Sequence, residues 1–497
     1  MSEAIRKIIV AGSGPVAWIA AAGLSRALRS RAVEVSIVAT EPDGAVAGYW
    51  TLPSQRGIHA LLGVNEPHFI HHTGSTFRLA TEHRGWQGEG SAYLHAHGEI
   101  GSDIEGTPYY KYLLSEALAG RPAAAENFSV AGAAARLGRF ARPMGEGLTA
   151  SFTYGFHIEE PAYTRYLQMH AQRLGVRICP AVLADVELAE NGNISALRLN
   201  DGILADADLF IDCSGAAARL IRHVSSNERD DWSAWLPCDR MLSGMGPALR
   251  DPAPVTQTVA AQAGWMWRAP LVERSMAGMA YSSAFMNDDA AHATLAAFEP
   301  GLKGEVVTRF SSGRRRDGWV RNCVALGAAA VELEPLAGAS LHLAQLGLAT
   351  LVELFPLNRS SSVEAREFNR LMGAQGDSLR DFTIAHYRLG RAPAGDFWTT
   401  ARAAAPPANL AHKLDLFAAS GRINLLDHET FEEIDWAWLL IGGGCVPAAI
   451  ELHTRQRLAK LRSQDVSAIR TRVQQVAASM PPHAEFVRRQ TPPVART

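Results

Sequence analysis

The chain has 497 residues, 47% hydrophobic and 20% charged, enough apolar content to bury a large core in one composite domain or two intimate ones. Lys+Arg 48 against Asp+Glu 50 leaves a formal net charge of -2, so nothing electrostatic draws it to nucleic acid or an anionic membrane, and a small-molecule substrate fits better. No apolar stretch approaches a bilayer span and residues 1–7 lack a signal-peptide core, which predicts a cytoplasmic protein; five scattered cysteines without metal-ligand spacing predict neither disulfides nor zinc.

In chain order, Lys7 to Ala11 is a short apolar run, followed by Gly12-Ser13-Gly14-Pro15-Val16-Ala17, an Ala-rich helical segment to about Leu28, and a second apolar run from Val33 to Val38. Strand, glycine turn, helix and strand make a βαβ dinucleotide-binding unit. Gly12 allows the turn, Gly14 lets the backbone approach a pyrophosphate, and Ala17 is small enough for the helix to pack on the strand. The orphan amides of the helix then face the phosphates. Ala39 stands where a ribose-binding acid is expected, so Glu41 is the candidate for that role. His71-His72 reads as a surface pair on extended chain, with the side chains pointing opposite ways.

Ala205 to Gly215 reads as a strand entering a glycine turn, and Asn322 to Ala330 as a strand followed by small residues. Between them, Gly264-Trp265-Met266-Trp267-Arg268-Ala269-Pro270 places two indoles on one face of a strand closed by proline. Arg314-Arg315-Arg316 reads as a solvated basic face. Residues 351–470 are helix-rich by pattern, and the prolines and arginines of 481–497 predict a mobile tail.

The tryptophan run resembles the Trp-x-Trp-x-x-Pro signature of the flavin-dependent tryptophan halogenases. Leu61 to Glu66, Thr76 to Ala80, Tyr93 to Gly98, Trp235 to Asp239 and Glu334 to Ser340 look like further landmarks of that family, in its order, across about residues 5 to 470. The resemblance implies an α/β protein with a Rossmann-like FAD-binding βαβ domain on a mixed sheet, plus a substrate-binding sheet and helical layer. The FAD domain is expected to be discontinuous, 1–115, 155–220 and 318–350, with 221–317 and 351–480 binding substrate. Expected FAD contacts are Gly12, Gly14, Ala17, Glu41, Thr51, Leu183, Gly327, Ala339 and Ser340; expected substrate contacts are His95, His97, Trp265 and Trp267. FADH2 comes from a separate flavin reductase, halide is a co-substrate, and a homodimer is ordinary.

In the family, reduced flavin and oxygen turn halide into hypohalous acid, which a lysine relays to an aromatic substrate while a glutamate assists attack. Neither residue is present here. Thr76-Phe77-Arg78 puts arginine at the lysine's place, and a guanidinium that stays protonated cannot become a haloamine. Ala337 stands at the glutamate's place and offers no base. The turn's backbone amides, which serve halide and flavin, survive any side-chain change. The family's Gly-Glu-Ala-Thr-x-Pro loop reads Gly48-Tyr49-Trp50-Thr51-Leu52-Pro53, with two aromatics able to cover the flavin face, stack on it or fill its space.

The expected activity is FADH2- and oxygen-dependent oxidation of an aromatic, indole-like compound, by halogenation or hydroxylation. Two alternatives stay open: a halogenase whose relay is moved to a hydrogen bond from Arg78, and a non-catalytic protein that kept the scaffold to hold flavin or another ligand.

Overall fold

The computed structural model describes residues 4–41, 44, 46–225, 228–356, 358, 362–389, 394–458 and 463–490. They gather into two compact units of three segments each: Met1–Thr73, Ile158–Met241 and Val306–Asp377 in the first, Gly74–His157, Leu242–Glu305 and Ser378–Thr497 in the second. Among the described residues no helix is long and apolar enough to cross a membrane.

The first unit is built on a mixed sheet. Strands Arg177–Leu188, Glu34–Ala39, Lys7–Ala11, Leu209–Asp212 and Cys323–Ala325 lie side by side and parallel, flanked by antiparallel strands. Ile8 to Ala11 are all buried, as parallel strands covered on both faces require. Helix Pro15–Ala27 follows the glycine turn, with proline in its first turn, where the missing N–H costs nothing. Its small residues let it pack tightly: a Cβ on Gly23 would lie 2.6 Å from Leu348 of helix Ser340–Glu353. The expected α/β architecture is present.

The second unit carries an antiparallel-rich sheet in the order Ser275–Tyr281, Gly264–Pro270, Val255–Ala261, Ala80–Arg84, Ala92–Ala96. Trp265 and Trp267 are fully buried on one face while Met266 and Arg268 on the other are only partly so, the alternation expected of a pleated strand. Gly278 stands opposite Trp267, and a Cβ there would lie 2.7 Å from the indole nitrogen, so glycine makes room for the ring. Helices dominate beyond residue 362: Ser362–Leu389, Asp396–Ala403, Ala408–Ser420, Glu433–Gly442 and Ser463–Ser479.

Four expectations need correction. Residues 481–490 are not a mobile tail: His483–Gln490 is a helix, the Phe140 amide donates to the Pro481 carbonyl and the His483 amide to that of Gly138. His483 and Val487 are buried, because Phe486 joins an aromatic cluster with Phe77 and Phe140. Residues 491–497 of the expected tail lie outside the described residues. Residues 74–115, expected in the flavin domain, pack in the second unit, where strand Ala80–Arg84 pairs with Val255–Ala261 and Ala92–Ala96 pairs with Ala80–Arg84 in turn, and 221–241, 306–317 and 351–377 fall in the first. His71 and His72 are exposed as expected, but on helix Glu66–Thr73, where i,i+4 spacing stacks His72 on His68. Arg314 is ion-paired to Asp230 and Asp377 and Arg315 is buried with Nε donating to the Ala329 carbonyl, so two members of the basic cluster are internal struts.

Candidate functional site

The glycine turn sits at the carboxyl end of the central strand of the first unit. Gly12 has φ +156°, and a Cβ there would meet the Cys213 carbonyl oxygen at 2.5 Å and the Ala17 Cβ at 2.9 Å, so turn, helix and the strand Leu209–Asp212 close only on glycine. Gly14 is the opposite case: an added Cβ would meet nothing within 4 Å. The helix it opens has no side-chain cap and no acidic residue in its first turn, leaving orphan amides beside open space. Gly327, at φ +64°, packs against Val16 in that first turn.

Glu41 lies at the same end of the sheet, its side chain 75% exposed, and pairs with Arg219 at 3.1 Å. Arg219 was not foreseen. Its Nε is buried without a hydrogen-bond partner among the described residues, leaving a donor spare beside the ion pair with Glu41. Asp212 shapes this corner, accepting from the amides of Ser214, Leu220 and Ile221. Leu183 points into the apolar cluster with Ile194, Leu197 and Phe210, so only its backbone is available to a ligand. A glycine cradle, uncapped amides and a spare cationic donor fit the diphosphate of a dinucleotide.

The loop from Gly48 is pinned along helix Ser340–Glu353. Ser54 Oγ hydrogen-bonds His342 Nδ1 at 2.7 Å, and Gln345 Nε2 donates to Gln55 Oε1. Gln55 in turn donates to the Tyr163 hydroxyl at 2.7 Å, and His59 Nε2 lies 2.8 Å from the same oxygen. Burial holds His59 at about 3 and His342 at about 4, so both imidazoles are neutral. Trp50, 3% exposed, lies on Gly338: a Cβ on that glycine would fall 2.8 Å from the indole Cδ1 and from the Trp50 carbonyl oxygen. Gly338 has φ +70° and leads into Ala339, the uncapped N-terminal residue of the helix that Ser340 begins. Thr51, Ala339 and Ala337 are buried around this contact. Truncating an indole this deep typically costs about 3–5 kcal/mol.

In the second unit Arg78 is 2% exposed. Its strand Thr76–Arg78 pairs antiparallel with residues 155–157, and three guanidinium nitrogens donate inward: Nε to Thr256 Oγ1, Nη1 to His97 Nε2 at 2.8 Å and Nη2 to Thr81 Oγ1. Burial lowers its pKa to about 9, which still leaves it charged at neutral pH. A guanidinium only donates, so His97 accepts at Nε2 and is neutral with its proton on Nδ1; burial, then Arg78, holds it well below the usual imidazole range.

The network continues in one direction. Thr256, having accepted from Arg78, donates to His157 Nε2 at 2.9 Å; His157 Nδ1 donates to Thr76 Oγ1 at 3.0 Å, and Thr76 donates to the Pro270 carbonyl at 2.7 Å. On the strand's other edge His483 Nδ1 hydrogen-bonds the Pro252 carbonyl and Nε2 accepts from the Phe77 amide. His95, also buried, lies 3.4 Å from Asp435 at the start of helix Glu433–Gly442, edge-on to Phe382, with 6.5 Å between the His95 and His97 ring centroids. The structure therefore brings Arg78, His95 and His97 together, while Trp265 and Trp267 stand in the core face of the adjoining sheet. Thr256, His157 and His483 were missed, since single threonines and histidines far apart in the chain carry no spacing signal.

The model of the family described as tryptophan halogenase matches residues 7–457. The chain belongs to this family. A flavin-dependent halogenase from Xanthomonas campestris superposes with a TM-score of 0.92 at 32% identity, covering 100% of both chains. One from Brevundimonas sp. BAL3 gives 0.92 at 30% identity, covering 98% of this chain and 99% of that one. The tryptophan 7-halogenase KtzQ of Kutzneria sp. (strain 744) is 28% identical over 98% of each chain.

Proposed function

We propose that the protein is an FAD-dependent oxidoreductase that takes FADH2 from a separate flavin reductase and oxidises a small aromatic, indole-like substrate without a lysine relay. The observation that carries this reading is the contrast between two sites. The glycine turn keeps its open cradle and uncapped amides, whereas the lysine's position holds a buried guanidinium with donors on Thr81, Thr256 and His97.

Bound FADH2 would supply two-electron activation of dioxygen. The chain's own part begins with Gly12 and Gly14, which bring backbone and helix amides against the diphosphate, and Arg219, whose unused Nε adds a charge-assisted hydrogen bond. Arg78 holds its charge, so it orients and does not carry an electrophile. Ala337 accepts no proton, so a substrate must be electron-rich enough to react without a base there. Buried walls of tryptophan and histidine exclude water from the second unit's interior.

The test is a titration of the purified protein with oxidised and reduced FAD, followed by turnover with a flavin reductase, NADH, oxygen and indole, with and without bromide. Binding of reduced FAD and an oxygenated product by mass spectrometry are expected. Failure to bind flavin in either redox state would overturn the reading, and a brominated product would move the relay to Arg78.

A further inference from the structure

We propose that Asp212 is a positioning residue: its carboxylate sets the backbone of residues 213–221 so that the Arg219 guanidinium stands at the rim of the nucleotide turn. The use of that guanidinium on a diphosphate rests on the flavin-enzyme reading above. Asp212 ends strand Leu209–Asp212 and is fully buried. Its Oδ1 accepts from the Ser214 amide at 3.1 Å and the Ser214 hydroxyl at 2.5 Å, and its Oδ2 from the amides of Leu220 at 2.8 Å and Ile221 at 2.9 Å. The Ser214 hydroxyl in turn accepts from the Arg219 amide at 2.7 Å. One side chain thus gathers both ends of the segment and, through Ser214, the backbone of Arg219 itself. Ala218, the residue before it, is held at φ +44°, a left-handed conformation that a residue with a Cβ keeps only where its surroundings fix it.

Both ends of the segment meet the glycine turn. The Cys213 carbonyl closes on Gly12 and leaves no room for a Cβ there. Arg219 Nη2 donates to Glu41 at 3.1 Å, and the neighbouring Thr40 is tied to Ser13, between the two glycines: the Thr40 amide donates to Ser13 Oγ at 3.1 Å, and Ser13 Oγ to the Thr40 carbonyl at 2.6 Å. The Glu41 side chain is 75% exposed, and an ion pair in that much water is too weak to place a guanidinium. The buried carboxylate does so from the backbone side, and Arg219 Nε is left without a hydrogen-bond partner among the described residues.

A double-mutant cycle on the full chain tests this, with FAD and ADP titrated separately by calorimetry. Arg219→Gln is expected to weaken binding about tenfold, as loss of one charge-assisted hydrogen bond does. Asp212→Asn sets an amide against donors that need an acceptor, and is expected to weaken binding at least as much. The double variant should bind as Asp212→Asn does, because a displaced guanidinium has nothing further to lose. Ser214→Ala, which removes the hydroxyl between Arg219 and Asp212, should couple to Arg219→Gln in the same way, and Ser214→Thr should restore wild-type affinity; this pair decides the question if Asp212→Asn does not fold. Losses that multiply, to about a hundredfold in the double variant, would show Asp212 acting on the fold alone and overturn the proposal. So would an Arg219→Gln variant that binds either probe as the wild type does. Coupled losses with ADP in a chain that refuses FAD would remove the flavin reading and keep this one, and refusal of both probes by the wild type would remove both.

Discussion

Arg78 Nη1 donates to His97 Nε2 at 2.8 Å, and both side chains are buried. A permanent cation therefore fixes the tautomer of a neutral imidazole, and through Thr256 it fixes that of His157 as well. Every proton in the chain from Arg78 to the Pro270 carbonyl has one place to be.

Thr256 is the node of that chain, so Thr256→Val, nearly equal in shape, leaves the Arg78 Nε and the His157 Nε2 both unsatisfied. A loss of about 2–4 kcal/mol is expected, read as a lower urea midpoint. Thr256→Ser should stay within about 1 kcal/mol of wild type.

Stability should fall with acid. His483 is held at about 4 by burial, against 6.5 for an ordinary imidazole, so below pH 6.5 the unfolded chain binds a proton that the fold refuses. Its contribution is complete above pH 6.5 and declines as pH drops toward 4. At pH 5 that is about 2 kcal/mol for this one side chain. His483→Gln, whose amide can serve both the Phe77 amide and the Pro252 carbonyl, should flatten the slope of thermal midpoint against pH between 6.5 and 4.

The two glycines of the nucleotide turn should fail differently. Gly12→Ala drives a carbon into the Cys213 carbonyl and is expected to cost about 3 kcal/mol of stability. Gly14→Val has open space, so the fold should survive while FAD affinity falls at least about tenfold, roughly 1.4 kcal/mol. Circular dichroism and FAD titration on the same samples separate the two outcomes.

Arg78→Lys with Ala337→Glu restores an amine that burial can deprotonate and a carboxylate. With reductase, bromide and indole, a brominated product absent from the parent protein is expected by mass spectrometry.

The nucleotide turn, the tryptophan strand and the family were legible because each is local: glycine spacing, period-two alternation and a short motif survive without knowledge of the fold. Arg78 was legible as a position but not as an environment, since burial depends on Thr256 and His157, far away in the chain. The Pro/Arg composition of 481–490 suggested a tail because sequence does not reveal that His483 meets an open edge at Phe77. Trp50 was visible as a misfit in its loop, but its seat on Gly338 joins positions far apart in the chain, which no local motif encodes.

The hydrogen bond from the Phe77 amide to His483 joins residues 406 positions apart. Synthesis runs from the amino end, so the strand bearing Arg78 emerges early and must wait, one edge unmet, until helix His483–Gln490 has left the ribosome. The second unit cannot complete its assembly before then, and a product truncated ahead of that helix would expose Phe77 and Phe140 to chaperones and proteases.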